Sequence, residues 1–323
     1  MKLGILGPGR IARTVAATLV QMPEIECYAV ASRNRERAAE FAKDFGFEKV
    51  YDSYEAMLQD PELELVYITT PHSHHYEQMM LCLEYGKHVI CEKAFTMNAG
   101  QAQKVRELAA QKGLYVAEAI WTRYMPSRKM ITDLLESGAI GTPDCLTANL
   151  CYDIDNVQRI IRPELGGGAL LDITVYGINF AMMCFGHDIA RVESSVQMTP
   201  TGVDGRETVT LYFADGKMAN LTHSIYSRSD RKGIIWGDQG YMVVENINNP
   251  YCIRIFDKND RLVQELPVPE QISGYEYEFQ EAVRLIEAGK TESESIPLQH
   301  SIEVMQVMDA ARAIWGLKYP QEQ

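Results

Sequence analysis

Glu92 and Lys93 follow directly on an apolar run in "KHVICEKAFTM", so a carboxylate and an ammonium stand where a strand ends. Adjacent residues of an extended chain point opposite ways, which makes Glu92 a poor ion-pair partner for Lys93. An amine facing a ligand cleft is equipped to give or take a proton. Further along, "DITVY" sets Asp172 and Tyr176 four residues apart, the interval at which a helix shows two side chains on one face. A tyrosine hydroxyl ionises at about pH 10 in water. To act as a base near neutrality it needs a cation at hand, and Lys93 is a candidate. Taken singly, Lys93 is equally well a surface lysine, Tyr176 a core aromatic and Asp172 a helix-face carboxylate.

A second chemistry is dinucleotide recognition. "GPGRIA", with Gly7, Pro8, Gly9, Arg10, Ile11 and Ala12, lies between the strand-like "LGIL" and the helical "RIARTVAATLVQ". Gly7 permits a tight turn, Gly9 lets backbone N–H groups approach a pyrophosphate, and Ala12 lets the helix pack close to its sheet. At the end of the second strand an NAD enzyme carries an acid for the ribose hydroxyls. Here "ASRNRER" has none before Glu36. Ser32 and Arg33 suit a 2′-phosphate that an acid would repel, with Arg35 and Arg37 close by. The sequence therefore predicts NADP(H) in preference to NAD(H).

Positioning such groups takes a sheet. Residues 2–119 alternate short apolar strands with helical stretches, three of them stopped at Gly46, Gly86 and Gly113. That alternation predicts an N-terminal Rossmann domain, a doubly wound parallel sheet whose ligands lie beyond the carboxyl ends of its strands. Three stretches fall at such ends: "TTPHSHH" with Thr70, Pro71 and His75, the Glu92-Lys93 pair, and "EAIWTRY" with Trp121 and Arg123. An indole can cover a nicotinamide or a sugar face, and a guanidinium can bind phosphate or hydroxyls. From about residue 122 the pattern shifts to the helix "PSRKMITDLLESG", an apolar helix after "GGG", and short strands parted by "ADG", "GDQG" and "KND". This predicts a C-terminal α+β domain with a large open, mostly antiparallel sheet. The expected division is 1–120 and 121–323.

The net charge of −13, from 31 Lys and Arg against 44 Asp and Glu, argues against nucleic acid or a membrane surface as partner. The apolar stretch "GGGALLDITVYGINFAMMCFG" carries Asp172 and Asn179 and reads as a core helix, not a membrane span. The seven cysteines have no paired CxxC spacing, and the chain opens on a strand with no leader before it, so a cytoplasmic location is expected. His72, His74 and His75 lack a nearby acid or thiol at ligand spacing, and no metal is expected.

Together "GPGRIA", "TPHSHH", "GKHVICEKA" and "GGGALLDITVYGINF" resemble the Gfo/Idh/MocA family of pyridine-nucleotide oxidoreductases. "AEAIWTRYMP" and the tyrosine of "DITVY" point to its dihydrodiol dehydrogenase and glucose–fructose oxidoreductase branch. The resemblance implies a catalytic Lys93, with Tyr176 where many members carry histidine. It places Thr70, Pro71 and His75 in the segment beside the cofactor, and Trp121 and Arg123 where this branch meets cofactor and substrate. It implies a polyhydroxylated or carbonyl substrate, and an open sheet that serves as substrate wall and as homodimer or homotetramer contact. A keto-sugar or dicarbonyl reductase is the same chemistry reversed; a non-catalytic NADPH-binding regulator is the alternative from another class. The family's proline after the lysine is Ala94 here, which restores an N–H and frees φ, so the turn is expected to aim Lys93 less firmly.

Overall fold

In the computed structural model, which describes residues 1–322, the alternating part of the chain folds as expected. The elements are β1 (Lys2–Leu6), α1 (Arg10–Leu19), β2 (Glu26–Ala31), α2 (Arg35–Phe45), β3 (Lys49–Tyr51), α3 (Tyr54–Leu58), β4 (Leu65–Ile68), α4 (His72–Glu84), β5 (His88–Glu92), α5 (Ala99–Lys112) and β6 (Val116–Ala119). The strands pair in parallel in the order β3-β2-β1-β4-β5-β6. The order reverses between β1 and β4, which opens a crevice at their carboxyl ends. Leu65, Val66, Tyr67 and Ile68 are all buried, as a central strand covered on both faces must be. Asn34 accepts a hydrogen bond from the Arg37 N–H (2.9 Å) and Asn98 from that of Gln101 (2.9 Å), capping α2 and α5. Gly46 and Gly113 end those helices at φ of 72° and 65°, a conformation glycine enters without steric cost.

The chain divides differently from two contiguous halves. The first unit holds Met1–Tyr124 together with Gln271–Ile302. The reason lies in α8 (Glu276–Glu287), whose Phe279, Ala282, Val283 and Leu285 belong to one buried cluster with Leu3, Ile5, Tyr67 and Ile90. The Phe279 ring meets the Tyr67 ring edge-on at 5.2 Å. An apolar stripe on a helix announces that one face is buried, but not which sheet covers it.

The second unit holds Met125–Glu270 and the chain from Glu303 onward, within α9 (Leu298–Trp315). After α6 (Pro126–Glu136) and β7 (Pro143–Cys151), a π-helical turn over Leu170–Thr174 runs into α7 (Val175–Phe185). Then come β8 (Ile189–Met198), β9 (Asp204–Phe213), β10 (Met218–Ser224), β11 (Gly233–Gly237), β12 (Gly240–Glu245), β13 (Cys252–Asp257) and β14 (Leu262–Pro267). Their order is β14-β13-β12-β11-β7-β10-β9-β8, antiparallel except between β7 and β10. Residues 163–185 are the one helical stretch long and apolar enough to cross a membrane among the described residues, and 89 % of their apolar window is buried within the protein.

Candidate active site

Gly7 takes a φ of 86°, and a Cβ there would come 2.7 Å from Thr70 Cγ2. Both the dihedral and the space admit only glycine. The Gly9 N–H donates to the Gly7 carbonyl (2.6 Å), and the Thr69 hydroxyl reaches the carbonyls of Leu6 (2.9 Å) and Gly7 (2.6 Å). α1 then starts at Arg10 with no side-chain cap and no acid in its first turn, whereas α2, α3 and α5 are capped by Asn34, Ser53 and Asn98. The amides of that first turn are left for an anion, at the positive end of the helix dipole. These residues fit a dinucleotide pyrophosphate. At the end of β2 the Ser32 hydroxyl accepts the Asn34 N–H (3.1 Å) and is buried, while Arg33 is exposed. Burial and the Arg33 charge hold the His74 ring below its ordinary pKa, so Arg33 and His74 are neighbours.

The sheet edge at β5 answers what Glu92 and Lys93 do there. Glu92 is buried and accepts a short hydrogen bond from the Tyr67 hydroxyl of the adjacent β4, so it points inward, while Lys93 is half-buried. The Lys93–Ala94 peptide bond is cis. Ala94 is fully buried, and its carbonyl lies 2.8 Å from His75 Nδ1, whose Nε2 lies 2.8 Å from the Thr70 carbonyl. Burial lowers the His75 pKa to about 4. The ring is therefore neutral at pH 7, with one N–H to give. On the far side of the turn the Phe95 N–H donates to Glu118 Oε1 at 3.1 Å. Glu118 is 1 % exposed, and burial raises its pKa to about 7 against the opposing pull of the Phe95 amide, Arg123 and Lys93. The looser turn expected from alanine is thus braced from two directions.

The remaining sequence candidates of this unit are also placed. The Trp121 indole stacks on Tyr275 with centroids 4.2 Å apart and planes 10° from parallel, so one ring face is already covered. Arg123 is 3 % exposed, with its charge directed at Glu118. Sequence reasoning missed Tyr67, Glu118 and Tyr275. Glu118 stands within "EAIWTRY", but nothing local marks it as buried.

In the second unit Asp172 lies in the π turn and Tyr176 in the first turn of α7. π turns of this kind gather at functional sites. Asp172 is buried and receives Arg159 Nη1 at 2.8 Å. Tyr176 is half-buried. The Arg159 guanidinium is thus engaged by Asp172.

Comparison with known proteins bears on this arrangement. Residues 1–119 match the profile described as "Oxidoreductase family, NAD-binding Rossmann fold", and residues 129–243 that of the "GFO/IDH/MocA C-terminal domain". The chain is 30% identical over 333 residues to the mouse trans-1,2-dihydrobenzene-1,2-diol dehydrogenase, covering 100% of this chain and 99% of that protein. It is 32% identical to the D-xylose 1-dehydrogenase (NADP(+)) of Hypocrea jecorina, covering 99% and 93%. Among solved structures it is similar to KijD10, a 3-ketoreductase from Actinomadura kijaniata in complex with NADP and TDP-benzene, with a TM-score of 0.89, 25% identity and 97% of each chain covered.

Proposed function

The chain belongs to the Gfo/Idh/MocA family of oxidoreductases, and on that premise we propose that it moves a hydride between NADP(H) and a carbinol or carbonyl carbon of a sugar, polyol or dihydrodiol. The observation that carries this reading is the presence of Lys93, Asp172 and Tyr176 in a chain whose likeness to such enzymes spans its whole length. The dinucleotide, when bound, supplies the hydride chemistry. The protein binds the pyrophosphate at Gly7, Gly9 and the first turn of α1, and the 2′-phosphate at Ser32 and Arg33. Lys93 and Tyr176 move the proton of the reacting hydroxyl, and Asp172, charge-balanced by Arg159, orients it. Glu92 and His75 serve from within: Glu92 ties the end of β5 to β4, and His75 ties the Lys93 turn to the Thr70-Pro71 loop.

Keto-sugar or dicarbonyl reduction is the same step reversed. A non-catalytic NADPH sensor has Ala94 in its favour; the bonds made by His75 and Glu118 around that alanine weigh against it. We assign the exposed face of β8–β10, where outward residues alternate with buried ones along β9 and β10 and every residue of β8 is at least partly exposed, to a homodimer or homotetramer contact, which light scattering reads directly. No disulfide joins any of the seven cysteines, which suits a reducing compartment. The functional test is reduced-nicotinamide absorbance with NADP or NAD crossed against pentoses, hexoses, inositols and a trans-dihydrodiol, and with NADPH against dicarbonyls. Turnover with NADP supports the reading, and NADPH binding without any turnover overturns it in favour of the sensor.

A further inference from the structure

Beneath the segment that carries Asp172 and Tyr176, the second unit buries a row of polar groups at helical spacing. The Tyr319 hydroxyl donates to the Gly167 carbonyl (2.9 Å). Asp204 accepts the Leu170 N–H (2.5 Å). Glu207 accepts a short bond from the Thr174 hydroxyl. His223 lies so close under Gly177 that any Cβ there would run into its ring. Positions 170, 174 and 177 thus form the underside of the helix, with Gly167 just before it, while Asp172 and Tyr176 lie on its other sides. Asp204, Glu207, His223 and Tyr319 are each at most 2 % exposed. That is an unusual concentration of ionisable groups in a core, where an unpaired charge is costly.

Glu207 of β9 and His223 of β10 stand directly opposite each other in the antiparallel register, both toward the buried face. Glu207 Oε2 and both ring nitrogens of His223 have no hydrogen-bond partner among the described residues. The other groups facing this place are Asp204 on β9, Cys151 on β7, Thr174 of the π turn and Tyr319 near the C-terminus. Arg312, whose charge acts on Asp204, is held by Asp309 (2.6 Å) and Glu322 (2.6 Å). Among the described residues, the charge that acts on Glu207 is that of Asp204, of the same sign.

We propose that Thr174, Glu207 and His223 form a buried, uncharged platform that positions the turn bearing Asp172 and Tyr176, with Glu207 present as the neutral acid. Its Oε1 accepts from Thr174, and His223, opposite Glu207 across the β9–β10 pair, packs its ring directly under Gly177. Burial and the Asp204 carboxylate both hold the proton on Glu207, and burial keeps His223 neutral. All three are positioning residues. The kinetic part of the proposal rests on the oxidoreductase reading above.

The test compares Glu207→Gln, Glu207→Leu and Thr174→Val with the wild-type chain by steady-state kinetics and by amide hydrogen exchange of peptides covering residues 168–178. Loss of one buried hydrogen bond at this turn is expected to lower kcat about tenfold in the leucine variant and to speed exchange by about the same factor. KM for NADP stays within about twofold, because that site is built elsewhere. The neutral glutamine restores both readouts to within about threefold of wild type. Glutamine as damaging as leucine shows that Glu207 works as a charge and overturns the proposal, as does a leucine variant indistinguishable from wild type. If the leucine variant does not fold, Thr174→Val decides: slowed turnover and faster exchange support the platform, and wild-type values overturn it. If the wild-type chain turns over none of the substrates, the functional reading has failed, and the exchange comparison alone judges the platform.

Discussion

Glu118→Gln isolates a single proton. In the native protein the Glu118 carboxyl gives up its proton at about pH 7, against 4.5 in an open environment, chiefly because it is buried. Between those two values the folded protein holds a proton that the unfolded chain has released, so stability falls as pH rises through this window and is level above it. The interval, at about 1.36 kcal/mol per pH unit, comes to about 3 kcal/mol, most of it lost between pH 5 and 8. Glutamine keeps the amide oxygen that accepts the Phe95 N–H and cannot ionise. Two buried histidines act in the opposite sense: burial lowers His75 to about 4 and His223 to about 3, so their contribution is lost as pH falls below about 6.5. The informative quantity is therefore the difference between variant and wild type at each pH, from urea unfolding at pH 5, 6, 7 and 8. The glutamine variant should gain on wild type by about 2–3 kcal/mol across that range. Parallel curves with a constant offset would refute the reasoning, because they would mean that Glu118 is already ionised at pH 5.

Tyr176→Phe should reduce kcat by about 100-fold or more, the usual worth of a positioned proton-transfer group, while NADPH affinity measured by fluorescence titration stays within about twofold. Arg33→Ala should weaken NADPH by about 10- to 100-fold, the loss of a charge-assisted contact, and leave NADH binding unchanged; equal losses for both would remove Arg33 from 2′-phosphate recognition. His75→Phe deletes the N–H that braces Ala94 or Thr70 and should cost about 1–3 kcal/mol in urea unfolding, with kcat falling more than KM for NADP. Arg159 is half exposed in its pair with Asp172, so Arg159→Met should change stability by less than about 1 kcal/mol, and the effect to look for is a raised KM for the polyol.

What could be read in the sequence was what short-range chemistry dictates. The glycines at 46, 86 and 113 end helices because each takes a left-handed φ, and the strand–"GPG"–helix order places the pyrophosphate turn whatever lies beyond it. β3 is not legible in the sequence, because three residues, Lys49–Tyr51, are too few to show a period. The apolar stripe of α8 marks a buried face but not that it belongs to the first core, since a stripe names no partner. The site divides in the same way. Lys93, Asp172 and Tyr176 stand in stretches whose residue types are informative. Glu118, Tyr67 and Tyr275 act through burial and contacts with residues far away in the chain, which single-sequence spacing does not encode. Glu207 and His223 are the extreme case: two ordinary strand residues whose meaning comes only from the β9–β10 register.

The central claim is that this chain is an NADP-dependent oxidoreductase whose proton transfer runs through Lys93 and Tyr176. The most direct measurement is the rate of NADPH formation from NADP with the sugar, inositol and dihydrodiol panel, in wild type and in Lys93→Ala side by side. The account predicts turnover by the wild type on at least one of these substrates, faster with NADP than with NAD, and its near-complete loss in the lysine variant with NADPH binding preserved. A wild-type protein that binds NADPH and turns over nothing, or a lysine variant as fast as wild type, would contradict it.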